Sequence, residues 1–326
     1  MLKALSKSGT LLQLIVFLAI GALLWFPAFV HPPGIASSKL AGPLFTMLSA
    51  WFDGSLFWPV LTSAILLVFQ AFILHTLLSS NDLIPRDCLV ESVVLLVLLS
   101  WNPSVLSFNP AVPALLFVLV AIYMIMRMYG NDEPYQYVFT AALSIAVASL
   151  FYLPAAWFIT GVWISHLTYR IASWREWFIS ILGFVVPFLY VFSYYYWMGE
   201  LSEGWIRLSR AIMQPFSHIE HMADYEIFTF VLLGITMLIT LLITINGIQD
   251  KLISIRRKAW IIVDFALAGT GMMLFTFNDF RTSHIFILVP AVFFISYAII
   301  MVKRSKIVDW LVTAVLIIAV SIHFFL

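Results

Sequence analysis

Long apolar runs alternate with short polar breaks along the whole chain. The breaks leave eleven stretches, at 11–30, 58–78, 88–100, 111–127, 136–152, 155–169, 177–197, 227–246, 259–277, 283–302 and 308–325. Several approach the roughly 20 residues that a helix needs to cross about 30 Å of hydrocarbon. Only helices and closed barrels satisfy every backbone hydrogen bond in lipid. The pattern therefore predicts an all-α, polytopic membrane protein, with residues 1–326 forming a single transmembrane domain. The stretches at 88–100, 111–127, 136–152 and 155–169 are shorter and predict hairpins that lean on the rest of the bundle. The first run follows Lys3 and Lys7 but is too long for a signal-peptide core, and no small-residue cleavage site follows it. It reads as an uncleaved span.

Basic residues orient this alternation. With the N-terminus in the cytoplasm, Lys3, Lys7, Arg86, Arg127, Arg170, Arg175, Lys251, Arg256, Arg257, Lys258, Lys303, Arg304 and Lys306 fall inside. Lys39, Arg207, Arg210 and Arg281 fall outside. Lys and Arg favour the cytoplasmic side, so the chain is expected to run from N-terminus in to C-terminus out in a bacterial inner membrane. Aromatic residues gather at both expected interfaces: Trp25, Trp58, Trp101 and Trp197 outside, Trp174, Trp177, Trp260 and Trp310 inside.

Composition agrees with this class and removes others. Apolar residues make up 63% of the chain and charged residues 10%, against roughly 25% charged in soluble domains. The formal net charge is +1, and no basic cluster exceeds the usual flank of a span, so nucleic acid is not an expected partner. A single cysteine, Cys88, excludes an internal disulfide and a cysteine-based metal site. No Gly-rich phosphate-cradling motif is present, which argues against ATP-driven work, and no internal repeat of the kind common in transporters is visible.

Two outer loops are long, at 31–57 and 198–226. In the first, Leu44, Met47, Leu48 and Trp51 recur at helical spacing, which predicts a short amphipathic helix on the outer leaflet ending at Asp53-Gly54. In the second, Leu201, Trp205, Leu208 and Ile212 form an apolar stripe, and Arg207 and Arg210 are placed to meet lipid phosphates. The segment SHIEHMADYE puts His218, His221 and Asp224 on one helical face, a loose metal-ligand spacing for which a solvated polar loop is the plainer reading. Asn278-Asp279-Phe280-Arg281 and His284 form an outer turn, where Arg281 suits a phosphate and Asp279 suits an N-cap. Within the spans, Gln70, His75, His166 and Asp264 are the polar exceptions. Gln70 is expected to bond a neighbouring helix, and the other three to snorkel to the inner interface.

From Trp101 to Arg170 the chain reads WNPSVLSFNPAVPALLFVLVAIYMIMRMYG and, after a polar break, YVFTAALSIAVASLFYLPAAWFITGVWISHLTYR. This resembles the middle hairpins of the GT-C superfamily of membrane glycosyltransferases. SLFYLPAAWFI with ASWREWFISILGFVVPFLY also resembles a family of Bacteroidota inner-membrane proteins, a resemblance that implies no activity. The GT-C resemblance implies a protein that handles a polyprenyl-phosphate-linked sugar at the outer face, without a cofactor. It places the catalytic base on an acidic residue of the first outer loop. Residues 31–52 contain no Asp or Glu, which leaves Asp53 alone in that role. Arg207, Arg210, Asp279, Arg281 and His284 are the matching candidates for substrate binding. The rival expectations are a non-catalytic subunit with a membrane-protein partner in an envelope complex, and a transporter, for which midplane charges are scarce.

Overall fold

The computed structural model describes residues 5–6, 8–35, 38, 40–52, 54–100, 103–131, 133–171, 173–200, 202, 206, 224–276, 279–301, 310, 313–314 and 317. Among the described residues the protein is all-helical, apart from one isolated antiparallel bridge between Ala41 and Tyr152. The helices are α1 (Thr10–Val30), α2 (Pro43–Ala50), α3 (Phe57–Ser80), α4 (Val90–Ser100), α5 (Pro103–Leu106), α6 (Ala111–Met128) and α7 (Tyr135–Phe151). A 3-10 turn (Leu153–Phe158) leads into α8 (Ile159–Thr168). Then come α9 (Trp174–Trp197), α10 (Asp224–Ile248), α11 (Ile253–Phe275), α12 (Phe280–Ser283) and α13 (Ile285–Met301).

Seven helices among the described residues are long and apolar enough to cross a membrane: α1, α3, α6, α9, α10, α11 and the α12–α13 unit. Length and composition thus mark a multi-pass membrane protein. Three of the short stretches form short helices. The stretch at 88–100 becomes the 11-residue α4, which reaches only about 16 Å at 1.5 Å per residue. The stretch at 136–152 becomes the 17-residue α7, and 155–169 divides into the 3-10 turn and the 10-residue α8. The stretch at 308–325 lies almost wholly outside the described residues.

The core is built around α4. Every residue of this helix is buried, including Glu91. A helix apolar on all sides belongs in an interior, and α4 packs against α1, α3 and α13. At its C-terminal end, the Trp25 indole N–H donates to the Ser100 hydroxyl over 3.0 Å. Gln70 of α3 donates to the Val112 carbonyl at the start of α6 over 2.7 Å, as its sequence position predicts. The turn before α6 is closed by Asn109, whose side-chain oxygen accepts from the amides of Ala111 and Val112 at 3.0 Å each. The second large packing unit joins α7 to α6 and α9. Small residues such as Ala141, Ala142, Ala146 and Ala148 of α7 are buried there and let backbones approach closely.

Candidate functional site

At one end of the bundle, segments far apart in sequence meet on a single carboxylate. The loop after α1 returns across the end of α7. The Gly42 amide donates to the Phe151 carbonyl over 2.8 Å, and the Leu153 amide donates to the Leu40 carbonyl over 3.1 Å. Only glycine fits at position 42, since a Cβ there would lie 2.1 Å from the Leu150 carbonyl oxygen. This stitch fixes Ser38, whose hydroxyl donates to Asp279 Oδ2 over 2.5 Å. The hydroxyls of Thr282 and Tyr152 also interact with the same carboxylate. Burial raises the Asp279 carboxyl above the usual carboxylate range, and the three hydroxyls oppose that rise by stabilising its charged form.

The surroundings are unusually polar for so apolar a chain. Thr282, Ser283 and His284 are buried, as are Ser107 and Asn109 in the turn after α5, the helix that packs against α12. His284 Nδ1 donates to the Phe280 carbonyl over 3.2 Å, and its ring stands edge-on to Phe230 of α10 at 5.3 Å. Arg281 is half-buried between Asp279 and Thr282 in sequence. Above the turn after α5, Phe45 of α2 and Phe52 each approach the Phe108 ring at 5.2 Å. Helix α2 grips the protein through Phe45. Met47 and Trp51 of the expected stripe are exposed, an arrangement that suits insertion into a lipid leaflet.

The structure thus brings Asp279, Arg281 and His284 to the end of the bundle where the first loop is anchored. Asp279 makes no side-chain bond to the amides of α12 and serves as the hub of a hydroxyl cluster, not as the N-cap expected from its position. Ser38, Tyr152 and Thr282 went unrecognised in the sequence, where isolated hydroxyls carry no periodic signal. Asp53, Arg207, Arg210, His218 and His221 lie outside the described residues, and Asp224 is described only as the first residue of α10. Among the described residues, no group of three or more His, Cys, Asp or Glu side chains is placed to hold a metal ion.

The opposite end of the bundle holds a second set of buried polar groups. His75 Nδ1 lies 2.6 Å from Glu91 Oε1, and the Glu91 side chain is fully buried. Glu91 is missed by pattern reading because it sits inside an apolar run. Asp264 is 5% exposed and accepts from the Thr168 hydroxyl over 2.8 Å. His166 is fully buried, with Nδ1 donating to the Val162 carbonyl over 2.6 Å. Neither snorkels to an interface; each is held by a neighbour inside the protein. No family model matches the chain, and no curated protein or solved structure matches it.

Proposed function

We propose that this protein is an inner-membrane protein with about eleven spans, N-terminus in the cytoplasm, that handles a polyprenyl-phosphate-linked sugar at its outer face and transfers the sugar. The distribution of Lys and Arg supports that orientation, and under it the Asp279 cluster faces outward. The observation that carries the reading is the convergence of the first outer loop, the Tyr152 turn and the α12 turn on Asp279. A lipid-linked sugar presents a phosphate and several hydroxyls at headgroup depth. Arg281 offers a bidentate partner for the first, and the Ser38–Tyr152–Thr282 cluster offers donors and acceptors for the second. With its carboxylate already engaged by three hydroxyls, Asp279 is a positioning residue. Asp53, one residue beyond the Phe52 ring that packs on Phe108, is the assigned general base.

The test is sugar transfer from a polyprenyl-phosphate donor by purified protein. Asp53→Asn should abolish turnover while leaving the fold intact, and a fully active Asp53→Asn protein overturns the reading.

One observation favours a second reading, a non-catalytic subunit of an envelope complex. Along its 24 residues α9 buries only Glu176, Ser180, Gly183 and Pro187, leaving a long face for another membrane protein. Native mass spectrometry after mild extraction separates the two. A retained adduct with the mass of a polyprenyl phosphate or its sugar conjugate supports transfer. A stoichiometric protein partner without such a lipid supports the subunit.

A further inference from the structure

Helices α10 and α11 are joined by a tight turn at Asp250–Lys251, yet each leans on α13 more than on the other. On α10, Thr236, Thr240 and Thr244 form a buried row of small side chains at i, i+4 spacing. Each hydroxyl is satisfied within its own helix at 2.7–2.8 Å, so the row can pack against a neighbour. Gly247 continues this close approach, because a Cβ there would sit 3.1 Å from the Tyr297 ring of α13. Drawn separately onto α13, the two helices leave a groove of about 280 Å³ between them, floored by Phe293 and Phe294.

The groove is apolar along its length and polar at one end. Ala259 and Val263 line its depth, while Gln249 and Arg256 stand at the end nearest the turn, with Trp260 beside them. Arg256 is half-buried and makes no ion pair among the described residues. Its neighbour Arg257 instead lies over the Tyr129 ring at 5.7 Å. Lys251, Arg256, Arg257 and Lys258 outnumber the acids beside them, Asp250 in the turn and Asp82, whose charge acts on Lys258, so the local field is positive.

We infer that this groove binds one anionic phospholipid, with its phosphate on Arg256 and Gln249 and an acyl chain laid along Ala259, Val263 and Phe293. Shape and charge both point to that occupant. A small soluble anion has no use for an apolar trough, and a lipid without net charge gains little from the half-buried Arg256 guanidinium. The inference uses only α10, α11 and α13 and stands apart from sugar handling at the other end of the bundle.

The experiment is a titration of the full-length protein, in mild detergent, with phosphatidylglycerol or phosphatidylcholine, read by native mass spectrometry and by thermal melting. One phosphatidylglycerol per chain should be retained at a concentration at least tenfold lower than phosphatidylcholine, and it should raise the melting temperature. Arg256→Gln should erase the preference, Arg256→Lys should keep most of it, and Ala259→Trp, which fills the groove, should abolish retention of either lipid. Arg256 is only half-buried, so its variants keep the fold and carry the test however Ala259→Trp behaves. Equal retention of the two lipids, an unchanged preference in Arg256→Gln, or no retained lipid because residues 302–326 of the chain fill the groove would each overturn the inference.

Discussion

The Ser38 hydroxyl donates to the Asp279 carboxylate over 2.5 Å, across a separation of 241 residues in the chain. The bond closes the first long loop onto the turn between α11 and α13. It is strengthened by the charge on its acceptor, since hydrogen bonds to carboxylates exceed neutral ones. Ser38→Ala should lower stability by about 1–3 kcal/mol, as expected when a buried partner is left unsatisfied. Asp279→Ala should cost more, because it removes the carboxylate on which Ser38 and Thr282 converge. Thermal melts of the two single variants and the double variant would show strong non-additivity; independent effects would refute the coupling.

The same carboxyl gives a pH dependence. Burial raises it above the ordinary value, so the folded protein binds a proton there more tightly than the unfolded chain does. This contribution to stability is fully present below the ordinary carboxylate value of about 3.9 and is lost as pH rises through the raised value. Melting temperature should therefore carry a falling component over that window in the wild type, which Asp279→Asn removes. Identical pH profiles for the two proteins would exclude Asp279 as its source.

The His75–Glu91 pair is a second test of buried polarity. Removing one partner of a buried pair leaves an uncompensated group and costs about 3–5 kcal/mol, whereas replacing both with apolar residues is far milder. Glu91→Ala should thus destabilise more than the double replacement His75→Leu/Glu91→Met. The ordering of their unfolding midpoints in a graded denaturant decides the matter.

Gly42→Ala is expected to loosen the loop that holds Ser38. The added Cβ would meet the Leu150 carbonyl oxygen at 2.1 Å, and the obstacle is backbone, which no rotamer change can clear. A loss of about 1–3 kcal/mol follows from overpacking. Proteolysis between residues 31 and 57 should accelerate, while an unchanged cleavage rate would mean that the stitch is dispensable.

Orientation is open to cysteine labelling. The one native thiol, Cys88, is buried, so it should resist maleimide in the folded protein. Against that silent background, Glu200→Cys should react with a membrane-impermeant maleimide in intact cells, and Asp87→Cys should react only after the membrane is opened. The reverse pattern would invert the proposed topology.

Several features were legible from local signals alone. Apolar runs marked most helices, because hydrocarbon demands continuous apolar length whatever the neighbours are. Gln70 announced a partner through the cost of an unpaired amide in an apolar setting. The stripe in α2 marked a surface helix but not the face that grips the protein, because Phe45 and the stripe are equally apolar. Hydropathy cannot tell protein from lipid, as the complete enclosure of α4 also shows.

By itself, the sequence determined the class of this protein: a polytopic helical bundle, with the breaks between its segments set by prolines, glycines and charges. Only the tertiary structure decided that Ser38, Tyr152 and Asp279 share one centre, that Glu91 meets His75, and that α10 and α11 part to leave a groove. The physical reason is range. Helix formation in an apolar environment depends on residues within a turn or two of one another, whereas these contacts depend on how whole helices pack, and lone polar side chains leave no period in the sequence from which their partners can be read.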